Sequence, residues 1–343
     1  MTAVNRGLFL DAEHRLKLRE FPIPKPAGGE LLVEIRANGI CGSDVQFFKE
    51  GRLGNFEVTV PYIPGHEASG VVVGTGPDVK HFKEGDKVVV EPGFPCGRCP
   101  FCKTGRYNLC PDVIFLSAPP INGTFCDYIT MPESFAHPIP EGMSFEKAAV
   151  AEPAAVAVHA VNCAKYANGA HGVIIGTGPI GLLTLQAFKA AGGGQVTCVD
   201  LDAKRLQAAK KLGADRVINL KDEDMPMDIG DVVFETAGST EATAGLFSVA
   251  RVGGTVVQVG WPGDNIVNMN IASFIEKELR YLGVNRYANA FPTAIQWLAD
   301  GRISTDGIIT HRFPLSRGPE AFRIASDNTQ GSIKVIVYNS EDN

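Results

Sequence analysis

The sequence predicts an α/β fold, in which a doubly wound parallel sheet follows a mainly β domain. Up to about residue 150, short apolar strands alternate with turns that contain Gly and Pro, for example at 31–40, 68–76 and 86–92. Beyond residue 170, nearly all-apolar strands alternate with helices, which is typical of a parallel sheet covered on both faces. The strands predicted in this second region are 172–176, 196–200, 216–220, 231–238 and 254–260.

A chain of 343 residues exceeds the usual size of one hydrophobic core, so we expect two domains. Residues 1–150 are predicted to form the mainly β domain and residues 151–284 the parallel-sheet domain. The segment 285–343 is predicted to return to the first domain, because its last strand has no place in a completed six-stranded sheet. An alanine-rich stretch at the junction, 147–164, predicts two helical pieces interrupted at Pro153.

The composition is that of a soluble globular protein and argues against several classes of partner. Hydrophobic residues make up 45% of the chain and charged residues 20%, and the formal net charge is −6. The chain has no run of basic residues of the kind that binds nucleic acid. It also has no stretch of about 18 or more apolar residues that would suggest a membrane span. The N-terminus lacks the apolar segment of a signal peptide, and Cys126, Cys163 and Cys198 are scattered, so we expect a cytoplasmic protein.

A loop with the spacing Cys-x2-Cys-x2-Cys-x7-Cys predicts a metal site. Its members are Cys96, Cys99, Cys102 and Cys110. Four thiolates at this spacing can surround one tetrahedral Zn²⁺ and leave no position for water or substrate. We therefore expect a structural zinc site that holds the loop together, with four reduced thiols or two disulfides as the alternatives.

The segment 176–181 matches the pattern G-x-G-x-x-G. Its residues are Gly176, Thr177, Gly178, Pro179, Ile180 and Gly181. The segment follows an apolar strand and opens a helix, which is the context of a Rossmann dinucleotide-binding turn. Gly176 permits the tight turn, Gly178 a close approach of the pyrophosphate, and Gly181 close packing of the helix on the strand. The helix N-terminus presents unpaired N–H groups to the phosphates.

Asp200 ends the next strand, 24 residues after the first glycine (200 − 176). Its carboxylate can accept hydrogen bonds from the ribose hydroxyls and would repel a 2′-phosphate, which favours NAD over NADP. Arg205 keeps NADP open, since an arginine can pair with a 2′-phosphate. A solvated carboxylate at a strand end is the alternative interpretation of Asp200.

Cys41, His66 and Glu67 supply three kinds of side chain that zinc takes as ligands. A catalytic zinc ion uses three protein ligands and keeps one position open. Glu152 adds a carboxylate in an otherwise apolar helix at the domain junction. Each residue has an ordinary structural interpretation when taken alone, but their occurrence beside a dinucleotide-binding fold favours an oxidoreductase.

With these motifs the sequence resembles the zinc-dependent medium-chain dehydrogenases, and within them the sorbitol (polyol) dehydrogenases. The stretches that carry the resemblance are GICGSDVQFFKEGRLGNF (39–56), GHEASG (65–70), GRYNLCP (105–111), AEPAAVAVHA (151–160), GTGPIG (176–181), NRYANAFPTAI (285–295) and THRFPL (310–315). The resemblance implies a GroES-like catalytic domain and a homodimer or homotetramer. It also implies zinc-dependent oxidation of a secondary alcohol of a polyol to a ketose, with NAD as the hydride acceptor.

The resemblance further implies roles for single residues. Cys41, His66 and Glu67 match the catalytic zinc ligands, and Glu152 matches a glutamate that approaches the metal directly or through its water. Ser43 is placed to pass on the alcohol proton. The residues that match the substrate pocket are Ser43, Phe47, Phe115, Glu152, Arg286 and Tyr287.

Three positions depart from the pattern of the resemblance. Phe47 stands where a tyrosine is common and Ala118 where a threonine is frequent, and both weaken the assignment of sorbitol itself. Gln46 replaces a proton-relaying histidine of related alcohol dehydrogenases, so protons need another route. L-Threonine, 2,3-butanediol and an aldose are alternative substrates. A zinc-free quinone reductase and a non-catalytic dinucleotide-binding protein are the alternative classes.

Overall fold

The computed structural model describes residues 4–263, 266–328 and 330–339. The chain forms two compact units: unit 1 comprises Met1–Glu152 and Ile309–Asn343, and unit 2 comprises Pro153–Ile308. Within the described ranges, no helix combines the length and the apolar character needed to span a membrane.

Short strands dominate unit 1, and strands alternate with helices in unit 2. The strands are β1 (Asn5–Leu10), β2 (Leu16–Phe21), β3 (Glu30–Gly39), β4 (Arg52–Leu53), β5 (Phe56–Glu57), β6 (Glu67–Thr75), β7 (Lys87–Val90), β8 (Gly93–Phe94), β9 (Ile114–Phe115), β10 (Tyr128–Pro132), β11 (Ala136–Pro138), β12 (Gly172–Ile175), β13 (Val196–Asp200), β14 (Arg216–Asn219), β15 (Gly230–Glu235), β16 (Ala250–Gln258), β17 (Arg280–Gly283), β18 (Ile309–Pro314) and β19 (Lys334–Tyr338). The helices are α1 (Gly42–Glu50), α2 (Pro100–Lys103), α3 (Phe145–Ala149), α4 (Ala151–Ala164), α5 (Pro179–Ala190), α6 (Ala203–Lys211), α7 (Thr240–Val249), α8 (Ile271–Glu276), α9 (Phe291–Ala299) and α10 (Gly318–Asp327).

Unit 1 is built on a seven-stranded sheet of order β11-β7-β6-β3-β19-β18, with β10 also paired to β3. The strands predicted at 31–40, 68–76 and 86–92 are confirmed as β3, β6 and β7. The last strand of the chain, β19, pairs antiparallel with the end of β3. The C-terminal segment thus completes the sheet that carries the candidate metal ligands.

Unit 2 contains a sheet of six parallel strands in the order β14-β13-β12-β15-β16-β17, which confirms the predicted doubly wound sheet. The five strands predicted from the alternation correspond to β12, β13, β14, β15 and β16. The strand order reverses between β12 and β15. In open α/β sheets, ligands bind at the carboxyl ends of the strands at such a switch point.

The chain returns to unit 1 at Ile309, later than the predicted position 285. The segment between these positions lies in unit 2, and Gln186 of α5 binds its backbone there. The side-chain oxygen of Gln186 accepts from the Ser304 N–H at 2.7 Å, and its Nε2 donates to Ser304 O at 3.1 Å. These contacts join residues 118 positions apart, which a local sequence pattern does not reveal.

The predicted helix interruption at Pro153 is wrong. The break lies at Val150, between α3 and α4, and Pro153 lies inside the first turn of α4. The first N–H groups of a helix have no intrahelical partner, so a proline there removes no hydrogen bond.

Candidate active site

The pairing of β6 with β3 brings three predicted metal ligands together in unit 1. Cys41 lies between β3 and α1, His66 precedes β6, and Glu67 is the first residue of β6. The register places Glu67 opposite Gly39 at the end of β3. One ligand atom from each of Cys41, His66 and Glu67 lies within 4.8 Å of the others. A Cβ at position 39 would overlap the Glu67 carboxylate, so this approach requires glycine.

The donor set of this cluster fits a zinc ion. It offers a sulfur, an imidazole nitrogen and a carboxylate oxygen, and both His66 and Glu67 are buried. Burial and the charge of Glu67 raise the pKa of Cys41 to about 12, so the side chain is a thiol unless a cation stabilises the thiolate. Three protein donors leave a fourth tetrahedral position open, as catalytic zinc sites do.

Asp44, in the first turn of α1, holds the two segments that carry Cys41 and His66. Its Oδ2 accepts from the Cys41 N–H at 3.0 Å, and its Oδ1 accepts from the Gly65 N–H at 3.0 Å. The Ser117 hydroxyl donates to Oδ1 at 3.0 Å, and Nδ1 of His66 lies 3.7 Å from it. Burial raises the pKa of Asp44 despite these donors. No role for Asp44 was predicted from the sequence. The feature of the sequence that could have indicated one is its position three residues after Cys41.

Lys334, the first residue of β19, forms a buried ion pair with Glu67. Its Nζ lies 2.7 Å from both carboxylate oxygens of Glu67 and 3.0 Å from Ile40 O. The two side chains are only 2% and 1% exposed. Burial opposes the charge of Lys334, but Glu67 above all, with Cys41 and Glu152, raises its pKa above the ordinary value. Lys334 was also missed, and a lone lysine within the apolar segment IKVIVY was its signal.

The other predicted residues of unit 1 take different positions around this cluster. The ring centroid of Phe115 is 5.6 Å from that of His66, so this side chain lies beside the candidate ligands. Phe47 is 3% exposed and packs edge-on against Tyr62 in the hydrophobic core. Glu152 is buried in the first turn of α4 and lies outside the 4.8 Å group.

Three further predicted residues lie on α1 and in unit 2. Ser43, on α1, makes a side-chain hydrogen bond with Cys41, which lowers the thiol pKa against the effect of burial. Arg286 and Tyr287 belong to unit 2, where Arg286 has a φ of 58°. Tyr287 packs edge-on against Phe291, with 5.0 Å between the ring centroids. Their roles towards a substrate stay predictions.

The four-cysteine loop forms a second donor group in unit 1. The four sulfur atoms lie within 4.8 Å of one another. All four cysteines are free thiols, so the alternative of two disulfides does not apply to this structure. The Cys96 N–H lies 3.3 Å from Cys110 Sγ, and the Cys102 N–H lies 3.5 Å from Cys99 Sγ. Backbone donors at Arg98 and Cys99 lower the pKa of Cys96 to about 7. Four sulfurs in this arrangement fit a tetrahedral ion with no open position.

The predicted glycine turn lies between β12 and α5 in unit 2. Gly176 has a φ of 90°, a conformation that favours glycine, and Pro179 and Ile180 begin α5. A Cβ at Gly181 would overlap the carbonyl oxygen of Gly176, so the turn requires glycine at both ends. Gly178 is the N-cap and has no side chain to cap the helix, which leaves the first N–H groups of α5 for a phosphate.

Asp200 ends β13 beside that turn, and its carboxylate accepts four hydrogen bonds. Oδ2 accepts from Thr177 N at 2.6 Å and from Thr177 Oγ1 at 2.8 Å. Oδ1 accepts from the N–H groups of the next two residues at 2.7 and 2.9 Å. Asp200 is therefore fixed against the glycine turn rather than simply solvated. Arg205 of α6 is also near the turn, with Nη1 3.9 Å from the position that a Cβ of Gly178 would take.

Comparisons with known proteins agree with this geometry. Residues 27–141 match the alcohol dehydrogenase GroES-like domain, and residues 179–300 match the zinc-binding dehydrogenase family. Sorbitol dehydrogenase from Bacillus subtilis (strain 168) is 40% identical over 331 residues, which are 94% of each chain. Sorbitol dehydrogenase from Homo sapiens is 38% identical over 329 residues, which are 93% of this chain and 92% of the human one.

Solved structures give the same class. L-Idonate 5-dehydrogenase from Escherichia coli has a TM-score of 0.92 and 33% identity, with 98% of this chain and 99% of that chain covered. The 2R,3R-butanediol dehydrogenase from Bacillus subtilis has a TM-score of 0.88 and 28% identity, with 98% and 100% covered. The chain therefore belongs to the zinc-binding dehydrogenases with an alcohol dehydrogenase GroES-like domain. It is an NAD-dependent zinc alcohol dehydrogenase, and the predictions of family, fold class, enzyme class and cofactors are confirmed.

Substitution of Asp44 should weaken metal binding although Asp44 is not one of the three candidate ligands. In Asp44→Ala, the N–H groups of Cys41 and Gly65 and the hydroxyl of Ser117 lose their acceptor. Partners that orient metal ligands in this way contribute about 10–100-fold to affinity, so we expect a loss of that size in chelator competition for the catalytic zinc.

The matched control is Asp86→Ala, which removes a partly buried carboxylate that accepts from the Lys83 N–H of its own turn. Its zinc affinity should equal that of the wild type. A folded Asp44→Ala with wild-type affinity would show that the carboxylate does not position the ligands.

Proposed function

We propose that the protein oxidises a secondary alcohol of a small polyol to the ketose and transfers the hydride to NAD. The observation that carries the proposal is the buried cluster of Cys41, His66 and Glu67, whose three donors leave one metal position for an alcohol oxygen. Similarity to sorbitol dehydrogenase over 94% of the chain supports a polyol as the substrate.

The side chains of unit 1 would divide the work at the catalytic metal. When bound, zinc supplies a Lewis acid that favours the ionised form of the alcohol, and NAD supplies the hydride acceptor. Cys41, His66 and Glu67 would hold the ion, and Glu152 would approach it directly or through water. The Ser43 hydroxyl would pass the alcohol proton towards solvent.

Lys334 gives Glu67 a second partner in the same buried place. A buried carboxylate without a counter-charge is costly, so a ligand that leaves its metal needs another cation nearby. Lys334 contacts both oxygens of Glu67 and supplies that cation. We propose that Lys334 would keep Glu67 paired whether or not the carboxylate holds the ion.

The residues proposed to contact the substrate are Phe47, Phe115, Arg286 and Tyr287. Phe115 lies beside His66 and would contact the carbon chain of the substrate, while Arg286 and Tyr287 would bond its distal hydroxyls. Phe47 offers no hydroxyl and packs in the core, so it would act through the shape of the pocket wall. L-Threonine, 2,3-butanediol and an aldose remain the alternatives, and the similarity to 2R,3R-butanediol dehydrogenase favours a vicinal diol among them.

A substrate panel tests the proposed substrate class. We expect kcat/KM with NAD to be highest for one of sorbitol, xylitol, galactitol and L-arabinitol, because a site built for several hydroxyls leaves polar groups unpaired with shorter substrates. One lost hydrogen bond of this kind corresponds to about tenfold in kcat/KM. If L-threonine, 2,3-butanediol or an aldose exceeds every polyol, the polyol assignment is wrong.

The two proposed zinc sites should respond differently to matched substitutions. Cys41→Ser changes a ligand of the catalytic metal and should abolish turnover in a folded protein. Cys99→Ser removes one sulfur of the closed loop and should lower the Tm or disturb assembly, while each correctly folded molecule keeps its kcat. The measurements are kcat, Tm and zinc per chain. Loss of catalysis in Cys99→Ser with intact stability and assembly would contradict the division between the two sites.

We also propose that the protein forms a homodimer or homotetramer. β17 is an edge strand of the unit 2 sheet, and the described surface of this unit exposes several large apolar side chains. They include Val252, Ile271, Ile275 and Tyr281. An exposed edge with apolar neighbours suits pairing with a second copy. Light scattering should give two or four times the mass of one chain, and the mass of a single chain would contradict the proposal. The cytoplasmic location stays a prediction.

A further inference from the structure

Glu235 is a buried carboxylate of unit 2 that the chemistry above leaves unused. It is the last residue of β15, it is fully buried, and burial raises its pKa. A carboxylate in such surroundings is stable only where donors surround it. The donors that Glu235 binds therefore show which segments it holds in place.

One carboxylate oxygen of Glu235 holds the loop that follows β15. Its Oε1 accepts from the N–H groups of Ala237 and Gly238, both at 2.9 Å. A backbone hydrogen bond from Ser239, the N-cap of α7, also acts on this carboxylate. Two successive N–H groups on one carboxylate oxygen fix the path of residues 236–239, called here the 236–239 loop.

Glu235 also holds the loop after β16, residues 259–261, called here the 259–261 loop. The main-chain carbonyl oxygen of Glu235 accepts from Val259 N at 2.9 Å and from Gly260 N at 3.0 Å. Its Oε2 accepts from Gln258 Nε2 at 2.7 Å, and that nitrogen also donates to Gly260 O at 2.8 Å. A Cβ at Gly260 would lie 2.5 Å from Oε2 of Glu235, so no side chain separates the loop from the carboxylate.

The 236–239 loop contacts the glycine turn directly. The Thr236 N–H donates to Ile175 O at 2.8 Å, and the Thr236 hydroxyl donates to Gly176 O at 2.7 Å. A Cβ at Gly176 would lie 2.6 Å from Ala237 N. These contacts lie between β12 and β15, where the strand order reverses and where α/β folds of this type bind a dinucleotide.

We propose that Glu235 is a positioning residue for NAD. Its carboxylate binds the 236–239 loop directly and the 259–261 loop through Gln258, in the arrangement against which the dinucleotide would bind. It acts through these loops rather than by contact with the cofactor. When the carboxylate is changed, the backbone donors lose an acceptor and the loops gain freedom. NAD must then order them on binding, which lowers its affinity.

Glu235→Gln tests this role with little change of size. An amide has one acceptor and one NH₂ group, so either orientation sets the NH₂ against an N–H donor, at the 236–239 loop or at Gln258. We expect the Kd for NAD⁺, measured by calorimetry on the zinc-loaded protein, to rise about tenfold. The KM for NAD⁺ should rise with it, while kcat and the KM for the alcohol stay within about twofold.

Asp231→Asn is the matched control. Asp231 lies near the opposite end of β15, where its carboxylate accepts from the His171 N–H at 2.7 Å and pairs with Arg251. Its substitution should lower the Tm but leave the Kd for NAD⁺ unchanged. Trp261, in the 259–261 loop, is 48% exposed and adds a second readout. Its fluorescence change on NADH binding should differ from the wild type in Glu235→Gln and not in Asp231→Asn.

Gln258→Met keeps the proposal testable if Glu235→Gln does not fold. It removes the donor to Oε2 and retains the carboxylate, so we expect a smaller rise in the Kd for NAD⁺, about threefold. The proposal is overturned if folded Glu235→Gln, or Gln258→Met in its place, binds NAD⁺ as the wild type does. It is equally overturned if Asp231→Asn weakens NAD⁺ binding as much as they do.

Discussion

The buried ion pair between Glu67 and Lys334 is the interaction on which the candidate active site depends. Transfer of two charges out of water costs several kcal/mol for each ion, and only good geometry with further hydrogen bonds recovers that cost. Lys334 meets this condition, because it contacts both carboxylate oxygens of Glu67 and the carbonyl oxygen of Ile40. The last strand of the chain thus supplies the cation that makes a carboxylate stable beside Cys41.

The same requirement explains the polar residues around the metal donors. Cys41 lies in a setting that raises its pKa to about 12, so metal binding must displace a proton from it, and zinc affinity in this site is linked to pH. Asp44 fixes the backbone beside both Cys41 and His66, so the donors are already close before an ion arrives. The four-cysteine loop differs from this site, because its four sulfurs would fill every position of a tetrahedral ion and leave none for a reacting group.

Carboxylates at the ends of parallel strands organise unit 2 in a related way. Asp200 ends β13 and Glu235 ends β15, and each accepts several backbone N–H groups from the turns that follow the strands. Asp200 is fixed against the glycine turn, where we propose that it binds the ribose. Glu235 is buried, and its carboxylate binds the 236–239 loop directly and the 259–261 loop through Gln258. Both acids therefore fix backbone at the glycine turn, Asp200 through Thr177 and Glu235 through the 236–239 loop.

Sequence alone determined the features that depend on near neighbours in the chain. Strand and helix alternation predicted the parallel sheet, and residue spacing predicted the glycine turn and the four-cysteine loop. The family resemblance implied that Cys41, His66 and Glu67 act together. Tertiary structure decided the partners: Lys334 lies 267 positions from Glu67, and Asp44 lies 73 positions from Ser117. It also placed the segment around Ser304 in unit 2, where Gln186 binds the backbone of Ser304. Periodicity records which face of an element is apolar, whereas the partner of a buried charge is set by strand register and packing between distant segments.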